Sequence, residues 1–165
     1  MRKTVFLAGG GTGGHIYPGI AVAEKIKDIS PETKVHFLCS ERKIDPHILS
    51  SLGYEFTQMP AREFYKNIKG LINFFKGFKA TEKKARDIIS RAEQPVVVGI
   101  GGFVAAPVCR AGVKLDVPVK LINVDIIPGK ANKLAARWAD DIFVQFEDTK
   151  RYFKRKHTDK IEVTG

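Results

Sequence analysis

The sequence predicts an α/β fold, a doubly wound, Rossmann-like parallel sheet, and two observations carry that prediction. Short apolar, β-rich runs alternate with helical patterns along the whole chain, which is the signature of βαβ units. Runs such as Val96-Val97-Val98 and Ile142-Phe143-Val144 are apolar on successive residues, as expected of strands with helices over both faces. The expected strands are Thr4 to Ala8, Lys34 to Cys39, Tyr54 to Gln58, Val96 to Ile100, Val119 to Asn123, Asp141 to Gln145 and Ile161 to Thr164. In such sheets ligands sit beyond the carboxyl ends of the strands, so chemistry is expected in the loops after Ala8, Ile100 and Asn123.

With 165 residues, 44% of them hydrophobic and 28% charged, the chain is sized for one domain with its own core, spanning residues 1–165. It stops directly after the last expected strand with no closing helix, so its end is expected to be a domain boundary with a further domain beyond. No apolar stretch is long enough to span a membrane, and the opening MRKTVFLAGG runs straight into a glycine loop, unlike a cleavable signal. A cytoplasmic protein is expected. Cys39 and Cys109 lie in apolar contexts without metal-ligand spacing and are expected to be buried, reduced thiols. No metal and no cofactor is expected. The formal charge of +10 calls for an acidic partner: a phosphorylated substrate, an anionic membrane surface or a nucleic acid.

The first loop reads Gly9-Gly10-Gly11-Thr12-Gly13-Gly14-His15, followed by Ile16-Tyr17-Pro18 and a helical stretch from Gly19 to Asp28. Glycines let a backbone approach a ligand closely, and Pro18 suits a first helical turn, so amide groups and a positive helix end are expected to converge on an anion. Gly9-x-Gly11-x-x-Gly14 also matches the dinucleotide fingerprint, with Glu41 as a possible ribose-binding acid. Five glycines in six positions exceed what a nicotinamide site or a plain turn requires. A second loop, Gly99-Ile100-Gly101-Gly102-Phe103-Val104-Ala105-Ala106-Pro107, repeats the arrangement, and two glycine loops at adjacent strand ends can hold the two phosphates of a pyrophosphate.

The third loop, Asn123 to Lys133, contains Asp125 and Asn132, which either bond sugar hydroxyls and order the first loop, or serve as a turn residue and a solvated helix residue. His15 is the one histidine of four at a strand-end glycine loop; His36 lies in a strand, His47 follows Asp45-Pro46, and His157 sits in a basic surface run. An imidazole beside a bound sugar can take a proton from an attacking hydroxyl near neutral pH. The alternative is that His15 only hydrogen-bonds its own loop.

Between Arg62 and Arg91 nine Lys or Arg stand against three acids, around Leu71-Ile72-Asn73-Phe74-Phe75-Lys76-Gly77-Phe78-Lys79. Basic residues interleaved with large apolar ones fit an interfacial element, with Leu71, Phe74, Phe75 and Phe78 among lipid headgroups and Lys76 and Lys79 meeting anionic lipid. The competing expectation is an ordinary amphipathic helix with its aromatics in the core. Nucleic acid ranks last, since no recognition motif is present.

Together these motifs resemble the MurG family, the peptidoglycan glycosyltransferases that move N-acetylglucosamine from UDP-N-acetylglucosamine to undecaprenyl-pyrophosphoryl-muramyl-pentapeptide. The resemblance rests on Gly9 to Pro18, on Gly99 to Val104 with Pro107, on Pro128-Gly129-Lys130-Ala131-Asn132-Lys133 and on Val163-Thr164-Gly165. It implies the first, acceptor-binding domain of a two-domain GT-B enzyme, with the main donor pocket in a second domain. It further implies that Gly11, Thr12, Gly13, Gly14, Gly101, Gly102 and Phe103 cradle the acceptor pyrophosphate. Thr12, Gly13, Gly14, Asp125 and Asn132 would border the UDP-N-acetylglucosamine donor, and His15 is the candidate base. No metal is implied, because protein groups and helix ends handle the charge on departing UDP. Docking would be peripheral, on the inner face of the cell membrane.

The chain departs from that family in two places. Where the family commonly has His-Glu ahead of a polar pair, this chain has Ile122-Asn123 followed by Val124-Asp125, and Phe103 stands where a Tyr is common. A relative acting on another lipid acceptor, and a lipid-binding domain without catalysis, therefore stand beside the transferase reading, with an NAD(P) oxidoreductase as a third class.

Overall fold

The computed structural model describes residues 2–164; Met1 and Gly165, the latter closing the fourth family motif, lie outside the described residues. Seven strands, β1 (Thr4–Gly9), β2 (Lys34–Ser40), β3 (Phe56–Met59), β4 (Pro95–Gly101), β5 (Val119–Asn123), β6 (Asp141–Val144) and β7 (Ile161–Val163), form one sheet in the order β3-β2-β1-β4-β5-β6-β7. Every pairing is parallel. All seven expected strands are present. The third starts two residues later than expected, and Tyr54 instead packs edge-on against Phe37, with ring centroids 5.1 Å apart.

Helices α1 (Gly13–Ile29), α2 (Ile44–Ser51), α3 (Ile68–Ile89), α4 (Gly102–Lys114) and α5 (Lys130–Ala135) connect the strands, and two 3-10 turns, 147–152 and 155–160, precede β7. Successive residues of β1 enter different cores. Val5 and Leu7 join Ile16, Ile20, Phe37 and Leu49 on one face, while Phe6 and Ala8 join Leu38, Ile89, Val104 and Leu121 on the other. Strand side chains alternate between faces, so a strand buried on both must be apolar at every position, which is what the sequence displays.

The start of the first helix corrects the sequence expectation. The helix begins at Gly13, not near Gly19, and Pro18 lies inside it at the sixth position. Pro18 favoured a start at its own position, but the short loop 10–12 after β1 already leads into a helical turn at Gly13. Pro107 occupies the same sixth position of α4. In both helices the proline lacks the N–H that would bond four residues back, so the carbonyls of Gly14 and Phe103 are left without their helical donor.

Cys39 and Cys109 are free and buried, as expected, and burial pushes both thiols up to about 12. The run around His157 is exposed but His157 itself is not: it is 5% exposed and its buried Nε2 has no hydrogen-bond partner among the described residues. Burial first, then Lys156, Lys160, Lys154 and Arg137, hold its pKa below the ordinary value. His15 and His36 are also lowered, in both cases chiefly by burial. A histidine with a depressed folded pKa binds fewer protons when native, so its contribution is present above the unfolded value of about 6.5 and is lost as pH falls below it. The urea midpoint is therefore expected to be lower at pH 5.5 than at pH 7.5, and His157→Gln should shrink that difference. An unchanged pH slope in the variant would remove His157 as a contributor.

Candidate functional site

The strand order reverses direction between β1 and β4, and both glycine loops leave the sheet there, with Gly9 paired to Gly101. This is the topological switch point at which open α/β sheets hold ligands. The loops touch: a Cβ on Gly102 would land on the carbonyl oxygen of Gly10, and one on Gly11 would lie 2.6 Å from Phe103 Cε1. Only residues without a side chain allow the two loops to close this way. Thr12 and Gly101 make no side-chain cap to the helices that follow them, so the first turns of α1 and α4 present uncapped amides side by side.

His15, on the first turn of α1, lies over the second loop, and a Cβ on Gly101 would stand 2.5 Å from its Cδ2. Its Nδ1 is 3.0 Å from Thr12 Oγ1. Burial lowers its pKa, while the charges of Asp125 and Asp45 act in the opposite sense. The imidazole is therefore neutral at physiological pH and able to accept a proton.

A cleft of about 580 Å3 opens beside His15. Its polar lining includes Asp125, Asn132 and Lys130, and its apolar lining Phe64, Phe74, Phe78, Phe103 and Leu134. Asp125 is exposed to this cleft, whereas Asn132 is buried. Asn132 Nδ2 donates to Asn123 Oδ1 (2.9 Å), and Asn123 Nδ2 donates to the carbonyl of Asp125 (2.5 Å). The third loop is thus braced by two side-chain amides, and Asn132 is not the solvated helix residue that one of the two expectations made it.

The sequence profile of the glycosyltransferase family 28 N-terminal domain matches residues 5–144. The chain belongs to this family. Among curated relatives is the UDP-N-acetylglucosamine–N-acetylmuramyl-(pentapeptide) pyrophosphoryl-undecaprenol N-acetylglucosamine transferase of Alkaliphilus oremlandii (strain OhILAs), 34% identical over 98% of this chain and 44% of its own length. The enzyme of the same description from Leuconostoc citreum (strain KM20) is 36% identical, over 98% of this chain and 43% of its own. The fold is shared with MurG of Acinetobacter baumannii, with a TM-score of 0.75 at 21% identity over 99% of this chain and 46% of that one. It is also shared with the UDP-GlcNAc 2-epimerase of Neisseria meningitidis bound to UDP-GlcNAc, with a TM-score of 0.66 at 15% identity over 100% of this chain and 46% of that one. The chain spans less than half the length of these relatives.

Within this family 28 domain the structure brings His15, Gly102, Phe103, Asp125 and Asn132 to one cleft, and Thr12, Gly13 and Gly14 form its neighbouring helix start. Two site expectations need correction. The amide of Gly11 is not free for a phosphate, because it donates to Asp45 Oδ2 at 2.8 Å; Gly11 shapes the loop instead. Phe78 does not face a membrane: it is 8% exposed, with its ring 6.2 Å from Trp138 and under the Arg110 guanidinium. Phe74 is half-buried and lines the cleft, whereas Leu71, Phe75, Lys76 and Lys79 are exposed. The reason is that α3 carries two apolar faces, the second confined to its first turns. Phe74, Phe78, Ala85 and Ile89 point inward, and Ile68, Leu71, Ile72 and Phe75 form a second stripe at the same helical spacing.

Sequence reasoning missed Asp45 and Arg42. Asp45 was read only as the residue before Pro46, yet it is fully buried beneath the first glycine loop. Glu41, the possible ribose acid, instead pairs with Arg62 at 2.7 Å on the surface. A signal was present in Ser40-x-x-x-x-Asp45, a hydroxyl and a carboxylate bracketing a short turn at a strand end, but spacing cannot say which of Glu41 and Asp45 turns inward.

Proposed function

We propose that this chain is the amino-terminal, acceptor-binding domain of an inverting transferase that moves N-acetylglucosamine from UDP-N-acetylglucosamine to a membrane lipid-pyrophosphate acceptor in peptidoglycan biosynthesis. The observation that carries the reading is the pair of uncapped helix starts meeting at the switch point with a neutral His15 between them. The helix starts suit a pyrophosphate, and His15 suits a sugar hydroxyl. In the reaction the acceptor hydroxyl loses its proton to the imidazole, its oxygen attacks the anomeric carbon from the face opposite the UDP, and UDP departs with the bonding electrons. The main donor-reading surface lies in the remainder of the protein, and no cofactor enters the scheme. The test is transfer by the full-length protein from radiolabelled UDP-N-acetylglucosamine to an undecaprenyl-pyrophosphoryl acceptor, with the new linkage read by NMR. A β-linked disaccharide lipid is expected, and binding of the lipid without transfer from any UDP-sugar would leave a lipid-binding domain.

The second part of the reading is peripheral docking on the inner face of the cell membrane through the start of α3. Phe64, Tyr65, Ile68, Leu71, Ile72 and Phe75 are exposed together there, with Lys66, Lys69, Lys76 and Lys79 among them, and among the described residues no helix is long and apolar enough to cross a membrane. Apolar side chains inserted among headgroups, with lysines near anionic lipid, produce reversible binding. Leu71→Ser/Phe75→Ser is expected to weaken co-sedimentation with anionic liposomes by roughly tenfold or more, with thermal stability unchanged. Equal binding of variant and parent would place the membrane contact elsewhere.

A further inference from the structure

The turn between β2 and α2, which no part of the functional reading uses, holds the first glycine loop from both sides. Asp45 is fully buried, and one of its oxygens, Oδ2, accepts three hydrogen bonds: from Gly11 N (2.8 Å), Ser40 N (3.0 Å) and Ser40 Oγ (2.5 Å). The Ser40 hydroxyl in turn accepts from Arg42 N (3.2 Å), and Arg42 Nη1 donates to the carbonyl of Gly11 (2.8 Å). Gly11, Asp45, Ser40 and Arg42 therefore close a ring in which the N–H of Gly11 is gripped by a carboxylate and its C=O by a guanidinium. Charge-assisted bonds of this kind are shorter and stronger than neutral ones. Gly10 has no side chain because Oδ2 of Asp45 occupies the place its Cβ would take.

Arg42 extends the ring outward. Its Nη2 lies 2.6 Å from Glu63 Oε2, and its guanidinium stands 5.5 Å from the centre of the Phe103 ring, on the second loop. One side chain thus touches the first loop, the second loop and the segment leading into α3. We propose that Asp45 and Arg42 are the positioning residues of the site: together they set the path of the glycine loop and so the place from which the first turn of α1 and His15 face the cleft. Neither touches substrate in this scheme; both act through Gly11. The inference rests on the proposed transferase reading and deepens it.

The charged groups facing His15 are Asp125 and Asp45, with Glu63 and Lys130 lining the same cleft. Asp45 raises the His15 pKa, so removing its charge must move the acid limb of a His15-dependent rate to lower pH. The test uses the full-length protein with Asp45→Asn, which keeps an oxygen for the three donors, and with Arg42→Ala and Arg42→Lys. Arg42 is half exposed, so its loss should not unfold the chain. Expected are kcat values lowered about 10- to 100-fold with the KM for the donor within threefold, partial recovery in Arg42→Lys, and an acid limb shifted down in Asp45→Asn only. Unchanged kcat and an unmoved limb in folded variants would overturn the proposal. If the parent protein itself transfers no sugar, the transferase reading has failed separately. NMR then decides the positioning claim: faster Gly11 amide exchange in both Asp45→Asn and Arg42→Ala, with a lower His15 pKa in Asp45→Asn, supports it, and parent-like values refute it.

Discussion

His15→Ala in the full-length protein is expected to lower kcat by about 10²- to 10⁴-fold, the usual contribution of a positioned general base, with an unchanged thermal midpoint. The side chain is only half-buried and makes one side-chain hydrogen bond, to Thr12, so the fold does not depend on it. With Nδ1 turned to the Thr12 hydroxyl, Nε2 is the ring nitrogen free to take the proton. Burial holds the His15 pKa below its ordinary value, and a base works only when neutral. The rate of the parent protein should therefore be full at pH 7 and fall only as pH drops below the ordinary histidine range, and that acid limb should vanish in His15→Ala. Full activity in the variant would remove His15 from the mechanism and leave it as a loop residue.

Gly102→Ala is expected to be the most destabilising single substitution at the site, while Gly14→Ala, in the same pair of motifs, should cost the fold almost nothing. Gly102 has φ +73, and an added Cβ would overlap the backbone oxygen of Gly10, which cannot move without parting the two loops. Strain in the left-handed region and overpacking against backbone together cost about 2–4 kcal/mol, or roughly 5–15 °C in Tm for a domain of this size. At Gly14 the nearest atom to an added Cβ is Thr12 Oγ1, an ordinary 3.7 Å away. Among the described residues no neighbour crowds that position. The expected result for Gly14→Ala is a parent-like melting curve with a KM for the pyrophosphoryl acceptor raised about tenfold or more, since the methyl group stands where an anion would approach the helix start. A variant that melts normally and binds acceptor normally would show that the second glycine pair serves no ligand.

The pair of substitutions also separates two uses of glycine that look identical in the sequence. Gly10, Gly11 and Gly102 are small because protein atoms crowd them, and Gly13 and Gly14 face no backbone neighbour within 4 Å. Density of glycine marks both loops alike, but only the packing of one loop on the other divides the residues into those that protein atoms crowd and those they leave open.

What the sequence determined by itself was whatever follows from local periodicity and strong motifs. The alternation of short β-rich runs with helical patterns marks the seven strands, runs apolar on successive residues such as Val96-Val97-Val98 mark those buried on both faces, and the two glycine loops with His15 point to the ends of such strands as the place for a site. The tertiary structure alone decided the matters that depend on residues distant in the chain. The switch point lies between β1 and β4 only because those strands pair across ninety-odd residues, Gly9 against Gly101. Asp45 rather than Glu41 became the anchor of the first loop because α2 turns one carboxylate under Gly10 and leaves the other in water. Phe78 went to the core and Phe75 to the surface because α4 and Trp138 cover one of the two apolar faces of α3. Hydrophobic patterning states that a face will be buried; which of two such faces meets a partner is settled by the helix that packs against it.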